Sequence, residues 1–365
     1  MKLLFTVIIS LIISSNSFSQ YSNPESVTYD PIGKNYYISN TLSQKIVKRD
    51  PSGTVTDFAT VGSSIYGVTY YNGNIYVANG NRIRGYSIAT GTQVFLDTVT
   101  GATFLNGIAI DSTTGILYAS NFASGVNARI YKVNLNNGES NAWANLPRQP
   151  NGVYVDKARN RVLVCSWGAN AVIMGVPISD STSVSTLITT PYANLDGIKL
   201  DRNDHVYISV YSSTGSVVRY DINFSFPAFV VASGFSNPAD IYVNRWTDTL
   251  VVPSANTNTV LFFPLSIPTN ISQVNGMVSD FKLNQNYPNP FNPETKISFS
   301  VFTKGVVNLS VYDISGKLIS TLINSELNAG EYEYNFKSNG LPSGMYFYKL
   351  KSGNFTETKM MTLIK

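Results

Sequence analysis

A seven-residue segment recurs six times, and in five of the six copies the second residue carries an oxygen-bearing side chain. The copies are PESVTYD (24–30), IYGVTYY (65–71), LNGIAID (105–111), PNGVYVD (150–156), LDGIKLD (195–201) and PADIYVN (238–244). Their second residues are Glu25, Tyr66, Asn106, Asn151, Asp196 and Ala239. Carboxylate and amide oxygens suit a hard cation such as Ca²⁺, and the His and Cys ligands typical of zinc are absent here. The pattern predicts a divalent-cation or polar-ligand site, provided that the copies converge.

A turn is the competing interpretation, because Asn-Gly and Asp-Gly are common turn pairs that need not bind anything. We interpret the last position of the copies (Asp30, Asp111, Asp156 and Asp201) in that way, since a hairpin connection follows each of them. The second position differs, because Glu25 and Tyr66 are poor turn residues. Ligand binding and strand capping therefore both remain open for the second position.

The spacing of the copies predicts the fold. They recur every 40 to 45 residues, and each is followed by a turn, two further apolar strands and a weaker fourth strand. Four short strands repeated six times are typical of a β-propeller, in which one blade cannot bury both of its faces alone. In that fold the innermost strands surround one axis, so equivalent positions of the copies meet. We expect ring closure to use an outer strand from residues 270–276.

The composition of the sequence changes near residue 277. A Pro/Asn-rich stretch there precedes several predicted strands in which apolar and polar residues alternate. The segments NYPNPFNPETKISF, VYDISGKLISTL, NAGEYEYNF, LPSGMYFYKLKSG and KMMTLIK resemble the C-terminal sorting domain of type IX secretion. The resemblance implies a small antiparallel β-sandwich, recognition by the type IX secretion machinery, and a product that is secreted or attached to the bacterial cell surface. A carbohydrate-binding sandwich is the alternative.

The N-terminus predicts a cleaved secretory signal, because Lys2 precedes an apolar run from Leu3 to Ile13, and a polar stretch with small residues at Ser17 and Ser19 follows it. No other segment is apolar enough for a transmembrane anchor. The expected all-β organisation is a signal peptide (1–19), a six-bladed propeller (20–268), a linker (269–283) and a β-sandwich sorting domain (284–365). The net charge of +4 is dispersed, which gives no support for nucleic-acid binding.

The propeller segments also resemble the gluconolactonase/regucalcin-like lactonases, and share their strand pattern with NHL-type propellers. By motif position the resemblance implies Glu25, Asn151 and Asp196 as ligands of a divalent cation, with Asp196 also the catalytic base of lactone hydrolysis. It implies Asn106 as a substrate contact, and the neighbouring Tyr66 and Phe104 are added as substrate-binding candidates.

Two positions depart from the lactonase pattern, because Phe104 and Gly107 stand where that family carries Arg and Asp. The alternative function is a non-catalytic propeller that binds a glycan, peptide or protein, which exposed aromatic rings such as Trp167 would favour. The only histidine, His205, is interpreted as an exposed residue without a catalytic role. The single cysteine, Cys165, is interpreted as a buried, unreactive thiol, and it permits no internal disulfide.

Overall fold

The computed structural model describes residues 20–225, 227–265, 271–275, 280–338 and 341–364. The predicted signal peptide, 1–19, lies outside the described residues. The chain divides into two compact units, the first ending at Pro264 and the second beginning at Leu265. Both consist of antiparallel β-sheets, which confirms the predicted all-β class.

Six sheets follow one another along the first unit, and each is a blade with its strands in chain order. Blades one to three are β1–β4 (Pro24–Asp30, Asn35–Asn40, Lys45–Arg49, Val55–Thr60), β5–β8 (Val68–Tyr71, Asn74–Asn79, Arg82–Ser87, Gln93–Thr98) and β9–β12 (Leu105–Asp111, Ile116–Asn121, Arg129–Asn134, Ser140–Asn145). Blades four to six are β13–β16 (Pro150–Asp156, Arg161–Ser166, Val172–Pro177, Ser185–Thr189), β17–β20 (Leu195–Leu200, Val206–Val210, Gly215–Tyr220, Phe229–Phe235) and β21–β23 (Tyr242–Asn244, Thr249–Ser254, Thr259–Pro264).

The first strand of each blade is the innermost, and it packs against the first strand of the next blade around the ring. The ring closes between blades six and one, where Ser26 and Asp240 form a parallel bridge. The Asp240 N–H donates to the carbonyl oxygen of Glu25 at 2.8 Å. The first unit is therefore a closed six-bladed β-propeller, as the repeats predict.

The apolar core of the propeller lies between neighbouring blades. Tyr37 and Ile46 of blade one, for example, share a buried cluster with Val68 and Ile75 of blade two. Strand β1 is buried along its whole length, because other strands cover both of its faces. This burial explains the continuous Val, Ile and Tyr character of the inner strands, since removing apolar surface from water contributes about 25 cal/mol per Å².

The second unit is a β-sandwich of two four-stranded sheets. The sheet orders are β24-β29-β26-β25 (Ile271–Asn275, Gly330–Lys337, Glu294–Val301, Lys282–Leu283) and β28-β27-β30-β31 (Leu318–Leu327, Gly305–Asp313, Gly344–Ser352, Phe355–Leu363). Alternate residues of β29, such as Tyr332, Tyr334 and Phe336, are buried and share one core with Leu309 and Tyr348 of the other sheet. The predicted sandwich is confirmed.

Two expectations about the junction between the units were wrong. Strand β24, expected at the outer edge of blade six, pairs instead with β29 of the sandwich, and blade six has three strands within the described residues. The expected linker, 269–283, contains β24 and β25, which both belong to the sandwich. The partner of β24 lies about 60 residues further along the chain, so the local pattern around 271–275 could not reveal this pairing.

Candidate functional site

The predicted site residues lie where the innermost strands begin, which we call the top face of the propeller. Glu25, Asn106, Asn151 and Asp196 each occupy the second residue of an inner strand, and all four side chains are buried. Tyr66 lies two residues before β5 and is half-buried. The ring of inner strands therefore brings the second positions of the copies to one end of the central channel.

Local irregularities in the strands position these side chains. The pairing of first and second strands shifts register between Pro24 and Ser26 in blade one, and between Pro150 and Val153 in blade four. Blades three and five show the same irregularity at the level of their candidate residues. A β-bulge disrupts the regular alternation and re-aims a side chain, and bulges are common beside functional sites. The repeated bulge thus helps to position the side chains of the top face.

In four of the copies a glycine follows the candidate residue, and this glycine has a packing role. A Cβ atom would lie within 2.5 Å of backbone atoms of the next blade at four equivalent glycines: Gly67, Gly107, Gly152 and Gly197. None of them has a positive φ, and Gly107, Gly152 and Gly197 lie within strands. The turn interpretation of these Asn-Gly and Asp-Gly pairs is therefore wrong. Glycine is required because neighbouring inner strands approach too closely for any side chain.

The same close approach explains one departure from the lactonase pattern. A Cβ atom at position 107 would lie 2.5 Å from the carbonyl oxygen of Asn151. The aspartate expected there from the lactonase resemblance would not fit without moving blade four. Gly107 is thus fixed by the packing of this propeller.

Hydrogen bonds from second strands hold the backbone of the site residues. Ser120 Oγ donates to the Asn151 carbonyl at 2.6 Å, and Cys165 Sγ donates to the Asp196 carbonyl at 3.0 Å. Ser209 Oγ makes the equivalent bond to Ala239 at 2.7 Å. Cys165 therefore takes the place of a serine in a repeated contact between blades. The Ser or Cys near the end of the second strands of blades three to five is the sequence feature that could have indicated this role.

The electrostatics at the top face are unfavourable for two carboxylates. Burial, followed by the proximity of Asp240, raises the pKa of Glu25 to about 8. Burial also raises the pKa of Asp196 well above its ordinary value, and Glu25 and Asp240 add to the effect. Asp240 itself is compensated by hydrogen bonds from Ser26 Oγ at 2.7 Å and Lys199 Nζ at 2.6 Å. Glu25 and Asp196 are therefore close together, desolvated and without a salt-bridge partner among the described residues.

Several polar atoms beside these carboxylates also lack partners. The Asn151 amide is close enough to Asp196 to lower its pKa. Nevertheless, Oδ1 and Nδ2 of Asn151 and Oδ1 of Asp196 have no partner with hydrogen-bond geometry among the described residues. Both side chains are almost fully buried, at 1% and 3% exposure. Buried polar groups normally have hydrogen-bond partners. Their absence here does not stabilise the fold, which indicates that the cluster has another role.

Five aromatic rings form a continuous arc at the top face, which we call the aromatic arc. Its members are Tyr66, Phe104, Phe122, Trp167 and Tyr211, all half-buried, with neighbouring ring centroids 4.5 to 5.6 Å apart. Burial raises the pKa of both terminal tyrosines, and the nearby Glu25 carboxyl raises it further. The arc therefore borders the polar cluster.

Sequence reasoning missed two members of the arc. Phe122, Trp167 and Tyr211 each come directly after the second strand of blades three, four and five. An aromatic residue at the same place in three consecutive copies was the available signal. Only Trp167 was singled out, as an exposed ring.

The remaining predicted residues have structural roles. Backbone N–H groups of the following turns donate to the carboxylates of Asp30, Asp111 and Asp201, as expected for turn residues. The exposed position predicted for His205 is wrong, because its side chain is buried and Nδ1 lies 2.8 Å from Asp201 Oδ2. Cys165 is fully buried, and burial raises the pKa of its thiol, as predicted.

No cluster of three or more His, Cys, Asp or Glu side chains suited to a metal occurs in the described part of the chain. The candidate ligand set contains two carboxylates and one amide, since Asp240 is held by Lys199. A cation at this position would depend on the oxygen of Asn151 and on water as well as on Glu25 and Asp196.

Comparison with known families identifies the C-terminal region. Residues 285–364 match the family described as "Secretion system C-terminal sorting domain". This is the predicted type IX sorting domain, and the protein is therefore secreted or attached to the cell surface. In the part of the chain that the structure describes, the only helices are single 3₁₀ turns, and none could cross a membrane.

Comparison with solved structures supports the propeller fold. A gluconolactonase from Xanthomonas campestris is similar, with a TM-score of 0.58 and 12% identity, over 68% of this chain and 88% of that chain. A luciferin-regenerating enzyme (TM-score 0.54, 14% identity, 68% and 86% coverage) and a putative gluconolactonase (0.54, 13%, 64% and 86%) are also similar. A search of curated proteins found no significant match. At these identities the similarity establishes the fold alone.

Proposed function

We propose that the propeller binds a divalent cation, most suitably Ca²⁺, at the top face and hydrolyses a lactone there. The proposed ligands are Glu25, Asn151 and Asp196. The observation that carries the proposal is the unpartnered, buried state of Asn151 and Asp196 beside a second buried carboxyl group, Glu25. Burial raises the pKa of both carboxyl groups, and Glu25 further raises that of Asp196, so the pair needs either protons or a cation. Oxygen donors at the mouth of a channel fit a hard cation with open positions for water.

The reaction follows from the chemistry of these side chains. When bound, the cation would polarise the ester carbonyl of the lactone. Asp196 accepts the proton of the attacking water at a carboxylate oxygen, which requires the ionised form, while the water oxygen bonds to the carbonyl carbon. The ring C–O bond then breaks, and the leaving oxygen takes the proton back from Asp196. The raised pKa of Asp196 disfavours the ionised form, so base activity at neutral pH depends on positive charge nearby. Glu25 and Asn151 hold their positions through the bulged backbone and the bonds between blades.

The candidate substrate contacts are uncharged, in contrast to those of the resembled lactonases. Phe104 lies in the aromatic arc, where a lactonase of the resembled family carries arginine, and Gly107 has no side chain. Asn106 offers an amide and Tyr66 a phenol at the same face. These residues suit a neutral ring that stacks on aromatic faces, and they offer no countercharge to an anionic lactone.

Calcium titration tests the cation site. We expect isothermal titration of the purified chain to detect Ca²⁺ binding and thermal unfolding to shift upward with Ca²⁺. Both effects should disappear in Asp196→Asn and persist in Asp57→Asn, whose carboxylate is exposed and paired with Lys45. Absence of Ca²⁺ and Mg²⁺ binding to the wild-type chain would overturn the cation site, and the hydrolytic proposal with it.

A panel of neutral sugar lactones tests the reaction. Turnover should require the cation and be lost in Asp196→Asn. Cation binding without turnover of any lactone would retain the site and reject this activity.

The aromatic arc favours a second candidate, a propeller that binds a glycan without catalysis. Aromatic faces stack on sugar rings and supply no hydrolytic chemistry. This function predicts that soluble oligosaccharides quench tryptophan emission without being consumed, and that Trp167→Ala abolishes the response. Lactone turnover that survives Trp167→Ala would count against it.

A further inference from the structure

A cavity lies at the opposite end of the channel, where the innermost strands end, which we call the bottom face. It has a volume of about 630 Å³ and includes none of the top-face residues Glu25, Asn106, Asn151 or Asp196. Its walls are the second halves of the inner strands and the turns that follow them. This bottom cavity is within the usual range for small-molecule sites.

The charges around the bottom cavity are almost completely paired. Each acidic side chain that lines it contacts a cation, in the pairs Asp111–Lys157 (2.6 Å), Asp156–Arg159 (3.1 Å) and Asp204–Arg159 (2.6 Å). Lys199, another lining residue, is neutralised by Asp240 at 2.6 Å. The lining cation that remains is Arg245, which has no carboxylate within ion-pair distance among the described residues. The cavity is therefore biased toward a negatively charged occupant.

Arg245 is held in place by aromatic and turn residues. Its guanidinium lies beside the Tyr154 and Tyr242 phenols, whose pKa burial raises, and it partly offsets that increase. Asn244 Oδ1 accepts hydrogen bonds from the N–H groups of Trp246 and Thr247, at 3.0 and 3.2 Å, which fixes the turn that carries Arg245. A guanidinium carries five N–H donors in a rigid planar fork, which matches the two oxygens of a carboxylate.

The walls beside Arg245 are aromatic. Tyr154 and Tyr242 line the cavity, and Trp246 lies at its rim with 64% of its surface exposed. The Trp246 ring also contacts Tyr29, with centroids 5.8 Å apart. An exposed tryptophan next to an unpaired arginine combines an apolar surface with a charged anchor.

We propose that the bottom cavity is a binding site for an organic acid, whose carboxylate pairs with Arg245 and whose apolar body packs against Tyr154, Tyr242 and Trp246. The site is separate from the top face and does not depend on the function proposed there. Its geometry distinguishes an organic acid from a bare oxyanion, because the aromatic walls add contact area that inorganic phosphate cannot use.

Titration calorimetry of the full chain with benzoate tests the site. We expect benzoate to bind, benzyl alcohol to bind at least 10-fold more weakly, and inorganic phosphate to bind more weakly than benzoate. Arg245→Met should weaken benzoate binding about 10-fold or more, and Trp246→Ala should weaken it by a smaller factor. Both residues are exposed, so neither change should prevent folding.

Arg202→Met is the matched control. It removes the same charge from a hairpin on the same face, but Arg202 is already paired with Asp248 and does not line the cavity. We expect this variant to bind benzoate as the wild-type chain does. Equal losses in Arg245→Met and Arg202→Met, equal binding of benzoate and benzyl alcohol, binding of phosphate alone, or no benzoate binding would each overturn the proposal.

Discussion

Asp240 of blade six stands where four other blades carry glycine, and its carboxylate lies 2.6 Å from Nζ of Lys199 in blade five. Both side chains are largely buried, at 5% and 13% exposure. Asp240 also accepts a hydrogen bond from Ser26 Oγ of blade one. One ion pair thus links three blades at the point where the ring closes.

Lys199→Met should destabilise the propeller strongly. Removal of the lysine leaves a buried carboxylate without its cation, which costs about 3–5 kcal/mol. Urea unfolding followed by tryptophan fluorescence measures the effect, because all three tryptophans (Trp143, Trp167 and Trp246) lie in the propeller. The double variant Lys199→Met/Asp240→Asn should recover part of the loss. Lys45→Met, which breaks an exposed pair with Asp57, should cost less than about 1 kcal/mol.

Gly152→Ala should disrupt the contact between blades four and five. A Cβ atom at this position would lie 2.1 Å from the Asp196 carbonyl oxygen, and backbone cannot move away as a flexible side chain can. We expect a loss of about 3 kcal/mol or more in unfolding free energy. In Gly175→Ala, the nearest atom to the new Cβ is Leu187 Cδ1 at 3.2 Å, so a loss below about 1 kcal/mol is expected. Similar losses in the two variants would contradict the packing role of Gly152.

The raised pKa of Glu25 predicts the pH dependence of stability without divalent cations. The folded state keeps a proton up to pH about 8, whereas the unfolded chain releases it near 4.5. The folded state therefore binds more protons between these values, and the free energy of unfolding should fall as pH rises through this window. Urea unfolding in EDTA at several pH values measures the slope. Glu25→Gln should flatten it, and Ca²⁺ should restore stability at the alkaline end.

Cys165 should be inert to thiol reagents until the propeller unfolds, because it is fully buried and its pKa is raised. Modification by a disulfide reagent should follow the rate of unfolding, whereas an exposed cysteine introduced by Ser52→Cys should react at once. Cys165→Ser should cost less than about 1 kcal/mol, because serine makes the equivalent bond in blades three and five. Rapid labelling of the native wild-type chain would contradict this assignment.

Removal of the sandwich should block export across the outer membrane. A chain that ends at Pro264 keeps all six blades and removes the whole second unit. We expect it to fold and to remain in the periplasm, as detected by immunoblotting of cell fractions. A chain that ends at Gln285 should also be retained, but β24 and β25 would lack their partners and should be lost to proteolysis. Normal secretion of either chain would contradict the sorting role.

The sequence was sufficient to predict the repeat and the ring, because each blade has the same alternation of strands and turns. It also predicted that Glu25, Asn151 and Asp196 would lie at one end of the channel, since a ring of six similar blades places equivalent positions together. It could not predict that Asp240, one position further along its copy, would replace a glycine and pair with Lys199 of the preceding blade. That contact depends on which blade follows which around the ring, and no local pattern expresses it.

His205 and β24 also make contacts that could not be predicted from the sequence pattern. A histidine after a turn looks exposed from its neighbours alone, yet its Nδ1 lies 2.8 Å from Asp201 Oδ2, which also accepts a hydrogen bond from the Tyr207 hydroxyl. The strand-like segment 271–275 was placed in the nearer domain, whereas its hydrogen bonds lie with β29. The deciding partner lies four residues away for His205 and in another part of the chain for β24, and the alternation of strand residues reveals neither contact.

The closing contact between Ser26 and Asp240 joins residues that are 214 positions apart. A chain that is still emerging lacks its last blade, and its first blade then has an uncovered side. The chain must lose the entropy of closing this long loop before the contact can stabilise it, and this order of events slows folding. A newly synthesised propeller therefore cannot close its ring until blade six has been made. In a secreted protein, this delay lengthens the period in which the chain is still unfolded enough to be translocated across a membrane.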